Sequence, residues 1–164
     1  MDRIPISKQG YEKIKAELED LKAQRPAIIQ AIKEAREEGD LSENAGYDAA
    51  RERQGMLEAR ITYINSRMPL FDVIDLDSLD DERAIFGATV VVEDIDTEET
   101  RTFLLLGPDD ADHKNGSISV LSPMGKAILG KEEGDEVIVD APRGRIEYEI
   151  VSVEFRGSDA LPSK

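Results

Sequence analysis

Residues 11–35, YEKIKAELEDLKAQRPAIIQAIKEA, and residues 47–71, YDAARERQGMLEARITYINSRMPLF, decide how the first half of this chain folds. In the first run, Tyr11, Ile14, Leu18, Leu21, Arg25, Ile28, Ile32 and Ala35 step alternately by three and four. In the second, Tyr47, Ala50, Gln54, Leu57, Ile61, Ile64, Met68 and Phe71 do the same. Such stepping marks the seam of a coiled coil. Each position of the first run has a counterpart in the second, their numbers adding to 82, so the pattern mirrors about Leu41. Mirrored seams predict two helices folded back antiparallel, with Leu41 at the tip. From Tyr11 to the tip the arm covers about 30 residues, roughly 45 Å at 1.5 Å per residue. At its end, Gly39-Asp40-Leu41-Ser42-Glu43-Asn44 carries two carboxylates three residues apart.

The ends of the arm are readable too. Ser7 is placed to cap the first helix, with Ile6 and Tyr11 at the positions of a hydrophobic staple. Pro26 removes one backbone hydrogen bond and clashes with the carbonyl of Lys22, which predicts a kink. It does not predict a stop, because the apolar stepping resumes in phase at Ile28. Around Pro26 the seam is weakest, with Arg25 opposite Leu57 and Ile28 opposite Gln54. Toward the tip it thins to Ala35 with Tyr47 and Ile32 with Ala50. The second helix is expected to end around Met68-Pro69-Leu70, since proline disfavours helical geometry in the residue before it.

Beyond the acidic run Asp77-Ser78-Leu79-Asp80-Asp81-Glu82, read as a linker, the period changes to two. Strands are expected from Ala88 to Ile95, Arg101 to Leu106, Ser117 to Leu121, Glu136 to Asp140 and Arg145 to Phe155. Ser122-Pro123 opens a short helix closed by Gly130. The predicted core is Val90, Val92, Phe103, Leu105, Val137, Val139, Ile146, Tyr148 and Ile150. Segregated helices and strands give an α+β chain of two domains: an antiparallel α-helical coiled-coil hairpin over 1–76 and a small antiparallel sheet with one short helix over 77–164. Residues 157–164 read as a disordered tail.

Composition removes several function classes. Among 164 residues there is no cysteine, which excludes disulfides, thiolate zinc sites and a cysteine nucleophile. His113, the one histidine, sits in a polar loop and reads as solvated, not catalytic. The start lacks a basic segment followed by an apolar one, and no apolar run suffices to span a bilayer. A soluble cytoplasmic protein is expected. Residues 1–76 hold 12 Lys+Arg against 15 Asp+Glu, and residues 77–164 hold 9 against 21, so most of the −15 net charge lies in the back half. That half repels a phosphate backbone, and a basic protein surface suits it better. Solubility alone accounts equally well for this charge.

Asp40 and Glu43 admit two compatible readings. Asp at a helix start with Glu three residues on is a capping box, favourable also for the helix dipole. The same carboxylates are hard oxygen ligands suited to Mg²⁺, although two are too few for a site of their own. They would complete a site that another molecule supplies, where a shared metal activates water against a phosphodiester.

The tip Gly39-Asp40-Leu41-Ser42-Glu43-Asn44-Ala45-Gly46-Tyr47-Asp48-Ala49-Ala50-Arg51 resembles the GreA/GreB family of bacterial transcript-cleavage factors. The likeness extends over Ile85-Phe86-Gly87-Ala88-Thr89-Val90, Ile118-Ser119-Val120-Leu121-Ser122-Pro123 and Leu129-Gly130-Lys131-Glu132-Glu133-Gly134-Asp135. It implies an elongation factor, not itself an enzyme, whose coiled coil enters the secondary channel of RNA polymerase. There Asp40 and Glu43 would share the second Mg²⁺ of the polymerase and stimulate its own cleavage of backtracked RNA, with Ser42 and Asn44 as tip neighbours. The chain would bring no cofactor of its own. It also implies an FKBP-like sheet domain docking at the channel rim through Ser119, Leu121, Ser122, Pro123, Met124 and Lys126. Lys33, Arg36, Arg51 and Arg53 would face RNA or the channel, the nascent 3′ end being met only indirectly, and the factor would act as a monomer away from membranes. The arm's net negative charge sides with GreA over GreB, whose arm tends to be more basic. Two positions depart from the family: Gly46 where Glu is usual, and Ser42 where a basic residue is common. A factor that fills the channel without cutting would not need the two carboxylates. A stand-alone prolyl isomerase would need an aromatic-lined pocket, for which Phe86, Phe103, Tyr148 and Phe155 are too few and too core-like.

Overall fold

The structure, a computed structural model, describes residues 2–38 and 45–162. It divides into two compact units, Glu12–Leu70 and the remainder, in which Met1–Tyr11 joins Phe71–Lys164. The sequence-based boundary at 76/77 differs, because the chain segments at either end of the arm pair with each other. Strand β1 (Ile4–Ser7) and strand β2 (Phe71–Ile74) form a parallel two-stranded sheet, Ile4 opposite Phe71 and Ser7 opposite Ile74. Tyr11 meets Phe71 edge-on, ring centroids 6.2 Å apart, the outermost of the mirrored pairs.

The arm unit is built from helix α1 (Lys8–Glu37) and helix α2 (Ala45–Arg67). Ser7 caps α1 as expected, its Oγ accepting the N–H of Gly10 at 2.9 Å. The helix runs through Pro26 without stopping. Ile14, Leu18, Ile32 and Ala35 are buried on α1, as are Ala50, Leu57, Ile61 and Ile64 on α2; all eight are seam positions. The remaining seam residues within the two helices are half-buried. Cross-helix ion pairs run in opposite senses along the chain, Glu17 with Arg60 and Arg25 with Glu58, which fixes the antiparallel arrangement. The weak point at Arg25 resolves electrostatically. Its guanidinium is bidentate to Glu58 at 2.7 and 2.6 Å. Both partners are about 40% exposed, so the pair sets register more than it adds stability. Helix α2 gives way at Met68–Leu70 to a 3₁₀ turn containing Pro69.

The second unit holds a five-stranded sheet in the order β5-β4-β3-β7-β6. Its strands are β3 (Thr89–Asp94), β4 (Thr100–Leu106), β5 (Ser117–Ser119), β6 (Glu136–Ala141) and β7 (Gly144–Glu154). Helix α3 (Pro123–Ile128) packs on it. Eight of the nine predicted core residues are buried together, and Ile146 packs against them half-buried. Phe103 and Tyr148 are within that core. One pairing departs from the antiparallel expectation: β5 runs parallel to β4, the intervening loop being long enough to return the chain to its starting end. The tail reading also changes. Residues 157–160 form a 3₁₀ turn, and Ala160 and Leu161 pack on a second buried cluster of Leu76, Leu104 and Leu106. The segment is pinned there because Asp77 Oδ1 accepts the Ser158 N–H at 2.8 Å and its hydroxyl at 3.1 Å.

One knot ties the start of α1 to the sheet. The Asp110 carboxylate accepts the Ser7 N–H on Oδ2 and the Gly107 N–H on Oδ1, each at 2.7 Å. The approach demands glycine nearby, since a Cβ at Gly107 would collide with the Pro5 carbonyl oxygen. Burial pushes the Asp110 carboxyl above its ordinary value, against the two N–H donors, which favour the anion. Replacing Asp110 by Ala strands both donors and is expected to cost about 2–4 kcal/mol in urea unfolding. Because the folded carboxyl titrates above the unfolded one, this group's contribution is complete at acid pH and shrinks as pH rises through the folded value. The gap between wild type and Asp110→Ala should narrow accordingly in unfolding curves taken across that range.

Candidate functional site

Asp40, Ser42, Glu43 and Asn44 lie outside the described residues. What the structure gives is their mounting: α1 ends at Glu37 and α2 begins at Ala45. Gly46, the departure from the family pattern, lies within the first turn of α2.

Close to that end the two helices border an open cleft of about 240 Å³, lined by Ile29, Ile32, Lys33 and Arg36 from α1 and Arg51 and Gln54 from α2. Three of the four predicted channel-facing cations therefore converge. Each follows a seam residue directly: Lys33 after Ile32, Arg36 after Ala35, Arg51 after Ala50. Seam packing thus brings one flank of each helix together and gathers the positive charge. An apolar floor beneath three cations suits a phosphate-bearing ligand. Arg53 does not line this cleft; it precedes the seam residue Gln54 and points to another flank.

The loop leading into α3 is a small hydrogen-bonded scaffold. Ser122 caps the helix, its Oγ accepting the Gly125 N–H at 3.1 Å and donating to the Ser119 carbonyl at 2.6 Å. Ser119 Oγ accepts the Leu121 N–H at 3.0 Å. Gly125 is buried so close to Ser119 that a Cβ would strike that carbonyl oxygen. The scaffold divides the six predicted docking residues by role. Ser119, Ser122 and Met124 are half-buried and hold the loop, whereas Leu121, Pro123 and Lys126 are open to solvent. Leu129, beyond the helix, is also exposed and was not singled out from sequence. Among the described residues no group of three or more His, Cys, Asp or Glu is arranged to hold a metal, and no helix is long and apolar enough to cross a membrane. His113 opens a 3₁₀ turn capped by Asp112, as its polar surroundings suggest.

Family comparison covers nearly all of this architecture. Residues 4–73 match the model of the transcription elongation factor N-terminal domain, GreA_GreB_N, and residues 79–155 match that of the GreA/GreB C-terminal domain. The chain belongs to the GreA/GreB family of transcription elongation factors. Transcription elongation factor GreA of Nitratidesulfovibrio vulgaris (strain DSM 19637 / Miyazaki F) is 68% identical over 96% of this chain and 99% of its own length. GreA of Desulfovibrio desulfuricans (strain ATCC 27774 / DSM 6949 / MB) is 65% identical over 98% of this chain and 99% of its own. Among solved structures, GreA factor homolog 1 (Gfh1) of Thermus thermophilus matches at 27% identity and a TM-score of 0.44, over 93% of this chain and 99% of that one. In this GreA/GreB chain the α3 loop rests on its cap. Ser122→Ala is expected to lower stability by about 1 kcal/mol, read as a shift in the thermal unfolding midpoint.

Proposed function

We propose that this elongation factor acts by carrying Asp40 and Glu43 along the arm into the secondary channel of RNA polymerase, where they stimulate the polymerase's own cleavage of backtracked RNA. The observation that carries the reading is the pair of carboxylates, both present in the family motif, on the segment joining two helices that bury eight seam residues between them. Rigid delivery is what such an arm supplies, since the chemistry needs a carboxylate placed within a few tenths of an ångström.

Asp40 and Glu43 would contribute hard oxygen donors to a Mg²⁺ that the polymerase already holds; bound there, the ion lowers the pKa of water for attack on a phosphodiester. Two donors are too few to retain the ion alone, which is why the factor is not an enzyme by itself. Lys33, Arg36 and Arg51 bind or steer phosphate at the cleft near the tip. Leu121, Pro123 and Lys126 make the exposed contact at the channel rim. The factor works as a monomer in the cytoplasm.

Asp40→Asn with Glu43→Gln tests this, because it keeps oxygen acceptors for helix capping and removes the negative charge. Unfolding should stay within about 0.5 kcal/mol of wild type, as for a benign surface change. Polymerase binding should persist while RNA cleavage in stalled complexes is lost. Retained cleavage by the double variant would refute the role assigned to the tip.

A further inference from the structure

Helix α2 carries a second stripe in three-four steps: Arg53, Met56, Arg60, Tyr63 and Arg67. Each residue directly precedes a seam residue, namely Gln54, Leu57, Ile61, Ile64 and Met68. The cleft cations directly follow seam residues instead. Positions on either side of a seam residue lie about 200° apart around the helix, so stripe and cleft occupy opposite flanks of the arm.

The stripe is a built surface. Arg60 and Arg67 each bring the guanidinium to 5.3 Å from the centroid of the Tyr63 ring. Arg60 is held in turn by Glu17 across the arm, at 2.8 and 2.9 Å. Beside these ordered groups two large side chains meet solvent, Met56 at 69% exposure and Tyr63 at 41%. They stand seven residues apart, about 10 Å along the helix, and the whole stripe spans about 21 Å. Tyr, Arg and Met are the residue types enriched at protein interfaces, and a ring already held by its neighbours loses little entropy on docking.

We propose that this stripe is a docking ridge for an acid-rimmed apolar recess on RNA polymerase, distinct from the tip and from the α3 loop. The inference rests on the polymerase reading above. Charge complementarity selects an acidic partner, for Arg53 and Arg67 stand at the two ends of the stripe in a chain carrying −15, with Arg60 between them already paired to Glu17. A protein fits better than a nucleic acid. The Tyr63 ring is engaged by two guanidinium groups and is not offered to a base, Arg60 is committed to Glu17, and an exposed methionine has no use against phosphate.

The test measures binding of the full-length factor to RNA polymerase by fluorescence anisotropy. Met56→Ala with Tyr63→Ala should weaken binding about tenfold, equivalent to about 1.4 kcal/mol, with the thermal midpoint unchanged. Met56→Ala alone, at a site too exposed to disturb folding, should weaken it about threefold. Tyr63→Phe keeps the ring between its arginines and should bind like wild type. If wild type binds and both alanine variants bind equally well, the ridge is refuted while the polymerase reading stands. If wild type itself fails to bind, both fall. Loss by the variants of affinity for a labelled RNA oligonucleotide without polymerase, or of self-association in sedimentation, would overturn the ridge in favour of those occupants.

Discussion

A two-helix arm has no third layer to cover it, so a single stripe on each helix must bury all the apolar surface that holds it together. That constraint shapes everything else in the chain. With only one seam, polar residues cannot stray onto it without a compensating device. Arg25 is the instructive case, since a charged group at a seam position would be costly if desolvated. Its guanidinium turns to Glu58, to which it donates two hydrogen bonds, and so keeps its charge paired. The small residues near the tip, Ala35 and Ala50, follow from the same rule: with nothing beneath them, close approach of the helices is the only way to bury them.

The seam was legible because its signal is periodic and long. Eight positions in each run, mirrored, leave little room for another register. The sheet core was legible for a similar reason, as alternation over β3, β4, β6 and β7 separates buried from exposed residues. What stayed hidden lacked period. Strands β1 and β2 have four residues each, and their pairing joins chain segments more than sixty residues apart. Asp110 reads as one more acid in the run Asp109-Asp110-Ala111-Asp112; only the fold reveals that it accepts two backbone N–H groups and ties down the start of α1. Leu161 looks like tail until Leu76, Leu104 and Leu106 gather to receive it. At the site, the family resemblance named the four cations as one group, and the seam geometry divides them. Lys33, Arg36 and Arg51 share a cleft, and Arg53 belongs to the other flank.

The sheet pursues a different electrostatic course. On the face away from its core, register sets Glu136 opposite Glu149 and Glu149 opposite Glu93, a row of like charges across three strands. Directly opposed like charges destabilise a sheet by some tenths of a kcal/mol per pair, and this one tolerates them because Val92, Val137, Tyr148 and Ile150 bury the other face. The cost is therefore borne by packing, and the surface is left strongly anionic. Such a field repels a phosphate backbone from this unit.

The division of labour along the arm then follows from helix geometry. A residue just after a seam position and one just before it face opposite ways, so a hairpin with one seam has two flanks that can carry different chemistry without interfering. Here the flank with Lys33, Arg36 and Arg51 forms an apolar-floored cleft near the tip, where phosphate would arrive. The flank with Met56 and Tyr63 lies farther back toward the base, where the proposed ridge would supply grip and no chemistry. Under the proposed delivery of Asp40 and Glu43, the arm must hold still while its end takes part in a reaction, and such a probe needs grip along its shaft. Anchorage at the base alone would leave a long lever free to pivot, and small angular errors there grow with distance into ångströms at the carboxylates.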